Sequence, residues 1–164
     1  MGYLDTLNPE VREYFRILSP EFPEWLLDYI ETPALRRIGG ISMSCGTDYS
    51  PCFSFRYWYS NLDHSVGVAL IVWHFTQDKK QTLAGLLHDI AVPVFKHCID
   101  FMNGDAEHQE STEERTSELI RTSPELMALL RRDGLTPEQV EDYKIYPIAD
   151  NPTPRLSADR FEYT

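Results

Sequence analysis

The stretch Leu83–Asp89, which reads LAGLLHD, decides how this chain is interpreted. It is an apolar run that ends abruptly in a histidine and an aspartate, two side chains that bind divalent metals. In a chain with 5 histidines among 164 residues, a single His-Asp dipeptide is expected to occur nearly by chance. Whether this pair binds a metal therefore has to be judged from other candidate ligands in the chain. The segment Asn61–Val68 carries His64 upstream, and Leu156–Tyr163 carries Asp159 downstream. Together these segments give the pattern H…HD…D.

The composition predicts a single globular domain over residues 1–164. A chain of this length with 42% hydrophobic residues has enough apolar material for one sizeable core. The formal net charge of −11 disfavours nonspecific binding to nucleic acid or to anionic membranes, because such partners need a basic face. The 3 cysteines have no CxxC spacing, and neither a signal peptide nor a run of 18 apolar residues is recognisable. We therefore expect a cytoplasmic protein that does not enter a membrane.

Helix signals dominate the chain and predict an all-α fold. Apolar residues recur every three or four positions, and a polar residue followed by proline marks helix starts at Asn8-Pro9, Thr32-Pro33, Ser123-Pro124 and Thr136-Pro137. Two further helices, over 62–75 and 79–89, form a hairpin, and shorter ones are expected over 24–30, 94–101, 111–121 and from Ser157. Between Ser42 and Ser60 the periodicity is lost, which predicts a long loop or a short β-hairpin.

Four residues form a candidate site for a divalent transition metal. Imidazole and carboxylate ligands together suit Mn, Fe, Co, Ni or Zn better than Mg alone. An antiparallel hairpin brings His64, near the start of one helix, level with His88 at the end of the next. Asp89 can turn inward beside His88 at a helix end, and Pro93 supports an end there. Asp159 would arrive from the other side of the bundle, although taken alone it reads as an ordinary first-turn helix acid.

Three blocks resemble the signature motifs of the HD-domain metal-dependent phosphohydrolases. They are residues 64–68 (HSVGV), 84–89 (AGLLHD) and 157–163 (SADRFEY). Within that superfamily the chain is most similar to the branch of the deoxynucleoside triphosphate triphosphohydrolases, which has a Thr-Pro block like Thr32–Ile38 and a histidine where this chain has His97. The resemblance implies an HD-domain-like helical bundle, with Mg as the candidate for a second ion and with the first metal held by His64, His88, Asp89 and Asp159.

The resemblance also implies which residues handle the phosphate. His97, Asp100 and His108 would line the reacting group, with a histidine as proton donor or acceptor. The alternative is a helix-local contact between His97 and Asp100 and a solvated loop position for His108. Substrate contacts are expected from Arg160, Tyr163, Lys96 and Arg56.

Two departures from the branch bear on the substrate. Val92 stands where the branch has a histidine, and Asn61 stands where it has an arginine. The histidine replaced by Val92 is one that the resemblance expects to face a triphosphate, and Arg56 or Lys96 could compensate for the missing groups. A smaller phosphate ester therefore fits at least equally well. The predicted function is hydrolysis of a nucleotide or related phosphate ester by metal-activated water. The alternative is a non-catalytic helical module that binds a metal or a nucleotide.

The remaining expectations concern assembly and length. The sequence leaves assembly into a homo-oligomer open. Asp159 lies on a final helix of about two turns, too short to be stable unaided. We therefore expect that the final helix continues in a longer protein.

Overall fold

The described part of the molecule is built mainly from α-helices. A computed structural model describes residues 2–44, 47, 50–53, 57–94, 102, 104, 115–152 and 154–163. Its α-helices with described bounds are α1 Tyr3–Thr6, α2 Pro9–Leu18, α3 Trp25–Ile30, α4 Pro33–Ile38, α5 Asn61–Thr76, α6 Lys79–Leu87, α7 Thr116–Thr122, α8 Pro124–Arg132 and α9 Ala158–Glu162. Short 3₁₀ helices cover Pro137–Gln139 and Tyr143–Ile145. The predicted all-α class is confirmed.

Helix α5 lies at the centre of the bundle. All twelve residues of 61–72 are buried, so this part of the helix meets protein on every side. It packs against α6, α9, α2 and α4. No helix within the described ranges combines the length and the apolar character that crossing a membrane requires.

The hairpin of α5 and α6 forms as the sequence predicts. Gln77 takes a left-handed backbone conformation, with φ of 50°, and ends α5. The Asp78 side chain then accepts hydrogen bonds from the backbone of Lys80 and Gln81 and caps α6. A Cβ atom added at Gly85 would lie 3.3 Å from a methyl group of Val68, so the glycine lets the two helices approach closely.

The start of α5 is fixed by buried polar contacts. Ser60 and Asp63 form a reciprocal capping box, in which each side chain accepts from the backbone N–H of the other residue. The Tyr3 hydroxyl donates to Asp63 Oδ1 at 2.8 Å and ties α1 to this point. Because His64 follows directly, these contacts also fix the level at which its side chain leaves the helix.

Some sequence-predicted elements need correction or lie outside the described residues. The prediction of a full helix after Thr136-Pro137 is wrong. Thr136 is the N-cap of a helical segment, but that segment is only the short 3₁₀ helix Pro137–Gln139. Between Ser42 and Ser60 the described residues contain one antiparallel bridge, which joins these two serines. The helix predicted over 94–101 and the capping box at 111–114 fall almost wholly on residues that the structure does not describe.

Asp133 joins three helices at one side of the bundle. Its carboxylate, only 10% exposed, accepts hydrogen bonds from the hydroxyl of Tyr29 at 2.8 Å and from Nε of Arg132 at 2.9 Å. Lys79 Nζ, at the start of α6, lies 2.7 Å from the same carboxylate. The hydrogen bond from Arg132, followed by those from Lys79 and Tyr29, holds the pKa of Asp133 well below its usual range.

Replacing Asp133 with asparagine should destabilise the fold. Hydrogen bonds to a charged group contribute about 1.5–3 kcal/mol, so we expect the Asp133→Asn variant to lose about 1–3 kcal/mol in free energy of unfolding at pH 7. The folded-state pKa is depressed, so this contribution is present above the ordinary value of 3.8 and is lost as the pH falls through the folded-state pKa. Urea unfolding at successively lower pH should show the difference from wild type shrinking.

Asp28 provides a matched control, because it pairs with the same Arg132 at 2.5 Å but its side chain is 51% exposed. Exposed ion pairs contribute about 0–1 kcal/mol, so Asp28→Asn should change the free energy of unfolding little. Equal losses for the two variants would contradict the role given to Asp133.

Candidate metal centre

The four predicted ligands come together between α5, the end of α6 and α9. Nε2 of His64 lies 3.2 Å from Oδ1 of Asp159, and Nε2 of His88 lies 3.6 Å from the same oxygen. Oδ1 of Asp89 is 3.8 Å from His88 Nε2, and ligand atoms of His64, His88 and Asp89 all lie within 4.8 Å of one another. Ligand atoms bound to one ion at about 2.0–2.2 Å lie roughly 3–4 Å apart. The spacing therefore suits a single ion.

Both histidines present the same ring nitrogen to this point. His88 Nδ1 donates to the carbonyl oxygen of Gly85 at 2.7 Å, and His64 Nδ1 donates to Oε2 of Glu162 at 2.5 Å. A carbonyl or carboxylate oxygen only accepts, so the proton sits on Nδ1 in both rings. Each Nε2 faces the other candidate ligands, with the two ring centroids 5.2 Å apart. Such fixed tautomers are typical of metal-binding histidines.

Glu162 is a candidate functional residue that the sequence did not single out. Its carboxylate is fully buried, contacts His64 through Oε2 and accepts a hydrogen bond from the Tyr59 hydroxyl through Oε1. Burial and the Glu162 charge raise the pKa of Tyr59 above its ordinary value, so the hydroxyl stays a donor. A buried carboxylate behind an imidazole orients the ring and increases its basicity. Glu162 therefore holds His64 in the orientation that a metal needs.

Gly67 makes room for Glu162. A Cβ atom added at Gly67 would lie 2.5 Å from Glu162 Oε1 and 2.8 Å from its Cγ, which is closer than real Cβ contacts. In the sequence, Glu162 follows Asp159 by three residues and Gly67 follows His64 by three. This spacing is the signal from which both residues could have been assigned to the site. Positions three apart share a helix face. One face of α9 thus supplies both a candidate ligand and the carboxylate behind another.

The electrostatics of the cluster favour a cation. Burial disfavours the charged imidazole of His64, but its hydrogen bonds to Asp159 and Glu162 outweigh this and raise its pKa to about 9. Burial also raises the pKa of Asp159, yet the contacts with His64 and His88 more than offset it, so that pKa lies below its ordinary value. In the metal-free protein the raised pKa favours a proton on His64 at neutral pH, which offsets part of the carboxylate charge. A metal ion must displace it.

Contacts to the backbone hold the turn that carries His88 and Asp89. Arg37 donates to the carbonyl oxygens of Ile90 at 2.6 Å and Val92 at 2.9 Å. The hydroxyl of Thr116 donates to the carbonyl oxygen of His88 at 3.4 Å. The α6 helix ends at Leu87, so His88 and Asp89 sit at the helix end, as predicted.

The two departures noted in the sequence have different structural outcomes. Val92 is 6% exposed and packs in the hydrophobic core, so this position supplies no polar group to the site. Asn61 is fully buried, and its Nδ2 donates to Oδ2 of Asp89 at 2.6 Å. The first is a core residue, whereas the second touches a candidate ligand directly.

The predicted substrate contacts are only partly described. The guanidinium of Arg160 lies 3.0 Å from Asp150 Oδ1 and donates to the carbonyl oxygens of Asn151 and Arg155, so it also braces the loop before α9. The ring of Tyr163, which is 59% exposed, lies 5.9 Å from that of His64. Their contact with substrate stays a prediction. Outside the described residues lie Arg56, Lys96, His97, Asp100 and His108.

Two curated relatives match the chain. It is 29% identical over 145 residues to the uncharacterised protein YdhJ of Bacillus subtilis, an alignment that covers 85% of this chain and 42% of YdhJ. It is 26% identical over 141 residues to the metal-dependent phosphohydrolase cns2 of Cordyceps militaris, covering 84% of this chain and 39% of that protein. The chain spans about two fifths of the length of these relatives. No protein-family model matches it, and no solved structure matches it significantly.

The second relative supports the resemblance to the HD phosphohydrolase superfamily. The triphosphohydrolase branch stays a prediction. The donor set fits a divalent metal on its own chemistry, since two imidazoles with fixed tautomers and two carboxylates are the mixed nitrogen and oxygen ligands that transition metals prefer.

Removing the charge behind His64 should weaken metal binding. We expect Glu162→Gln to raise the dissociation constant for Mn²⁺ about 10- to 100-fold, because the amide no longer fixes and polarises the imidazole. Isothermal titration calorimetry on metal-free protein measures this. The exposed Glu24 serves as the control, and Glu24→Gln should bind Mn²⁺ as wild type does.

Gly67→Ala tests the same contact from the other side, since its methyl group would push against the Glu162 carboxylate. It should weaken Mn²⁺ binding in the same direction. Wild-type affinity in both variants would show that Glu162 does not act on the metal centre.

Proposed function

We propose that this chain is a metal-dependent phosphohydrolase that acts on a nucleotide or a related small phosphate ester. The convergence of His64, His88, Asp89 and Asp159 on one point carries the proposal. The relative named as a metal-dependent phosphohydrolase supports it. When bound, a divalent ion lowers the pKa of water and polarises a phosphoryl oxygen.

The charge of the cluster explains why a phosphate substrate requires the ion. Asp89, Asp159 and Glu162 surround two imidazoles, and such a concentration of carboxylates repels an anionic phosphate. A divalent cation offsets most of this negative charge and would offer the phosphate a centre of positive charge. The carboxylates therefore serve to hold a cation that a phosphate group can approach.

The protein's own groups set the geometry of the ligands. The Gly85 carbonyl and the Glu162 carboxylate fix Nδ1 of the two histidines, so both Nε2 atoms stay deprotonated and directed at the centre once the proton on His64 has left. We assign Tyr163 to packing on the organic part of a substrate, and the 5.9 Å distance between its ring and that of His64 supports this assignment. As part of the proposal, proton transfer to the leaving oxygen is assigned to His97 or His108, and Asp100 is assigned to the lining of the reacting phosphate.

The substrate is proposed by class. The core position of Val92 leaves one fewer polar group for a triphosphate than the triphosphohydrolase branch has. This observation favours a phosphate ester with fewer phosphoryl groups. A nucleoside monophosphate meets that requirement, and it offers an aromatic base and a sugar as well.

Loss of a ligand should abolish both metal and activity. We expect purified protein to contain a divalent transition metal and to release phosphate from nucleotides or phosphomonoesters in the presence of Mn²⁺. Asp89→Ala should lower activity by at least about 100-fold, because a three-ligand remnant neither holds nor orients the ion well. Metal analysis and a phosphate-release screen measure the two effects.

His74 is exposed on α5 and is the control, so His74→Ala should keep both metal and activity. An Asp89→Ala variant that retained both would refute the proposal. Tight nucleotide binding without phosphate release by metal-loaded wild type would instead favour the non-catalytic binding module.

A further inference from the structure

Asn61 combines a directed hydrogen bond with an unpaired buried oxygen. Its Nδ2 donates to Asp89 Oδ2 at 2.6 Å, and its side chain is fully buried. Its Oδ1 is also buried and has no hydrogen-bond partner among the residues that the structure describes. A buried acceptor without a partner destabilises a fold. Stability alone therefore does not account for an asparagine here.

The orientation of the amide follows from its neighbour. A carboxylate offers only acceptors, so the NH₂ group of Asn61 must face Asp89 and the carbonyl oxygen must face away. Exchanging the nitrogen and oxygen would place two acceptors against each other. The unpaired oxygen is thus a consequence of the contact with Asp89.

The position of Asn61 is fixed at the start of α5. Its backbone N–H donates to the carbonyl oxygen of Ile41 at 2.8 Å, and it follows the capping residue Ser60 directly. His64 lies three residues further along, so the two side chains share one helix face. The same turn of α5 therefore presents a candidate metal ligand and the donor that touches a second one.

We propose that Asn61 is a positioning residue for the metal ligand Asp89. By holding Oδ2 it fixes the carboxylate plane, so that Oδ1 stays near the Nε2 atom of His88, 3.8 Å away. Its amide carries no charge, so it orients the carboxylate without opposing a cation electrostatically. This inference rests on the metal centre of the proposed function. It adds a residue that orients the ligand Asp89 through a hydrogen bond to Oδ2.

The test compares metal affinity with stability. In Asn61→Leu the shape is roughly kept while the donor and the unpaired oxygen are both removed. We expect its dissociation constant for Mn²⁺, measured by calorimetry, to rise about 10- to 100-fold. The thermal unfolding midpoint of the metal-free variant should stay near or above that of wild type.

Ser65→Ala is the matched control. Ser65 is buried on the same helix, and its hydroxyl likewise lacks a partner within the described part of the chain. It should bind Mn²⁺ within about twofold of wild type. Asn61→Ala introduces a smaller side chain that cannot overfill the site. If the leucine variant folds poorly, Mn²⁺ affinity and the unfolding midpoint of the alanine variant provide the test.

A loss of less than threefold in Mn²⁺ affinity for both Asn61 variants would overturn the assignment. So would a large fall in the metal-free unfolding midpoint of both, because that would make Asn61 a structural residue. Turnover is measured separately on the metal-loaded wild type. A wild type that binds Mn²⁺ but releases no phosphate would refute the hydrolase and leave the role of Asn61 intact.

Discussion

The candidate metal centre depends on the close approach of three helices around two imidazoles. His64 and His88 can direct Nε2 at one point only if the hairpin of α5 and α6 is tight and α9 crosses near the start of α5. Glycine permits both contacts: Gly85 lies against Val68, and Gly67 lies against Glu162. A methyl group at Gly67 would collide with the Glu162 side chain, and one at Gly85 would crowd Val68. These two glycines therefore help to set the geometry of the cluster.

The cluster illustrates a trade between stability and function. Three carboxylates and two imidazoles lie largely out of water, which is unfavourable unless each group is paired. Each group is paired through a hydrogen bond. Glu162 accepts from Tyr59 and from His64, and Asp89 accepts from Asn61. Natural proteins break local rules of packing and polar pairing mainly at functional sites. The unpaired oxygen of Asn61 fits that rule.

The periphery of the bundle uses charge differently. Asp133 joins α3, α6 and α8 through hydrogen bonds to Tyr29 and Arg132 and an ion pair with Lys79. Its partners are positively charged or neutral donors, so its pKa falls and the carboxylate stays ionised. At the candidate centre the carboxylates instead contact His64, whose raised pKa favours a proton that a metal ion would have to displace. The same chemical group thus stabilises the fold in one place and prepares a binding site in the other.

The sequence by itself determined most of the described α-helices and the candidate ligands. Capping residues and prolines predicted α2, α4 and α8, and periodicity predicted the hairpin of α5 and α6. The hairpin, with His88 and Asp89 at the end of its second helix, predicted that His64 and His88 lie close together. These signals are local, so they can be read along the chain. Only the tertiary structure placed Glu162 behind His64 and turned the Asn61 amide onto Asp89. Both contacts join residues distant in sequence, 98 and 28 positions apart. Periodicity places Glu162 on the same helix face as Asp159, but it does not say which residue of another helix that face meets.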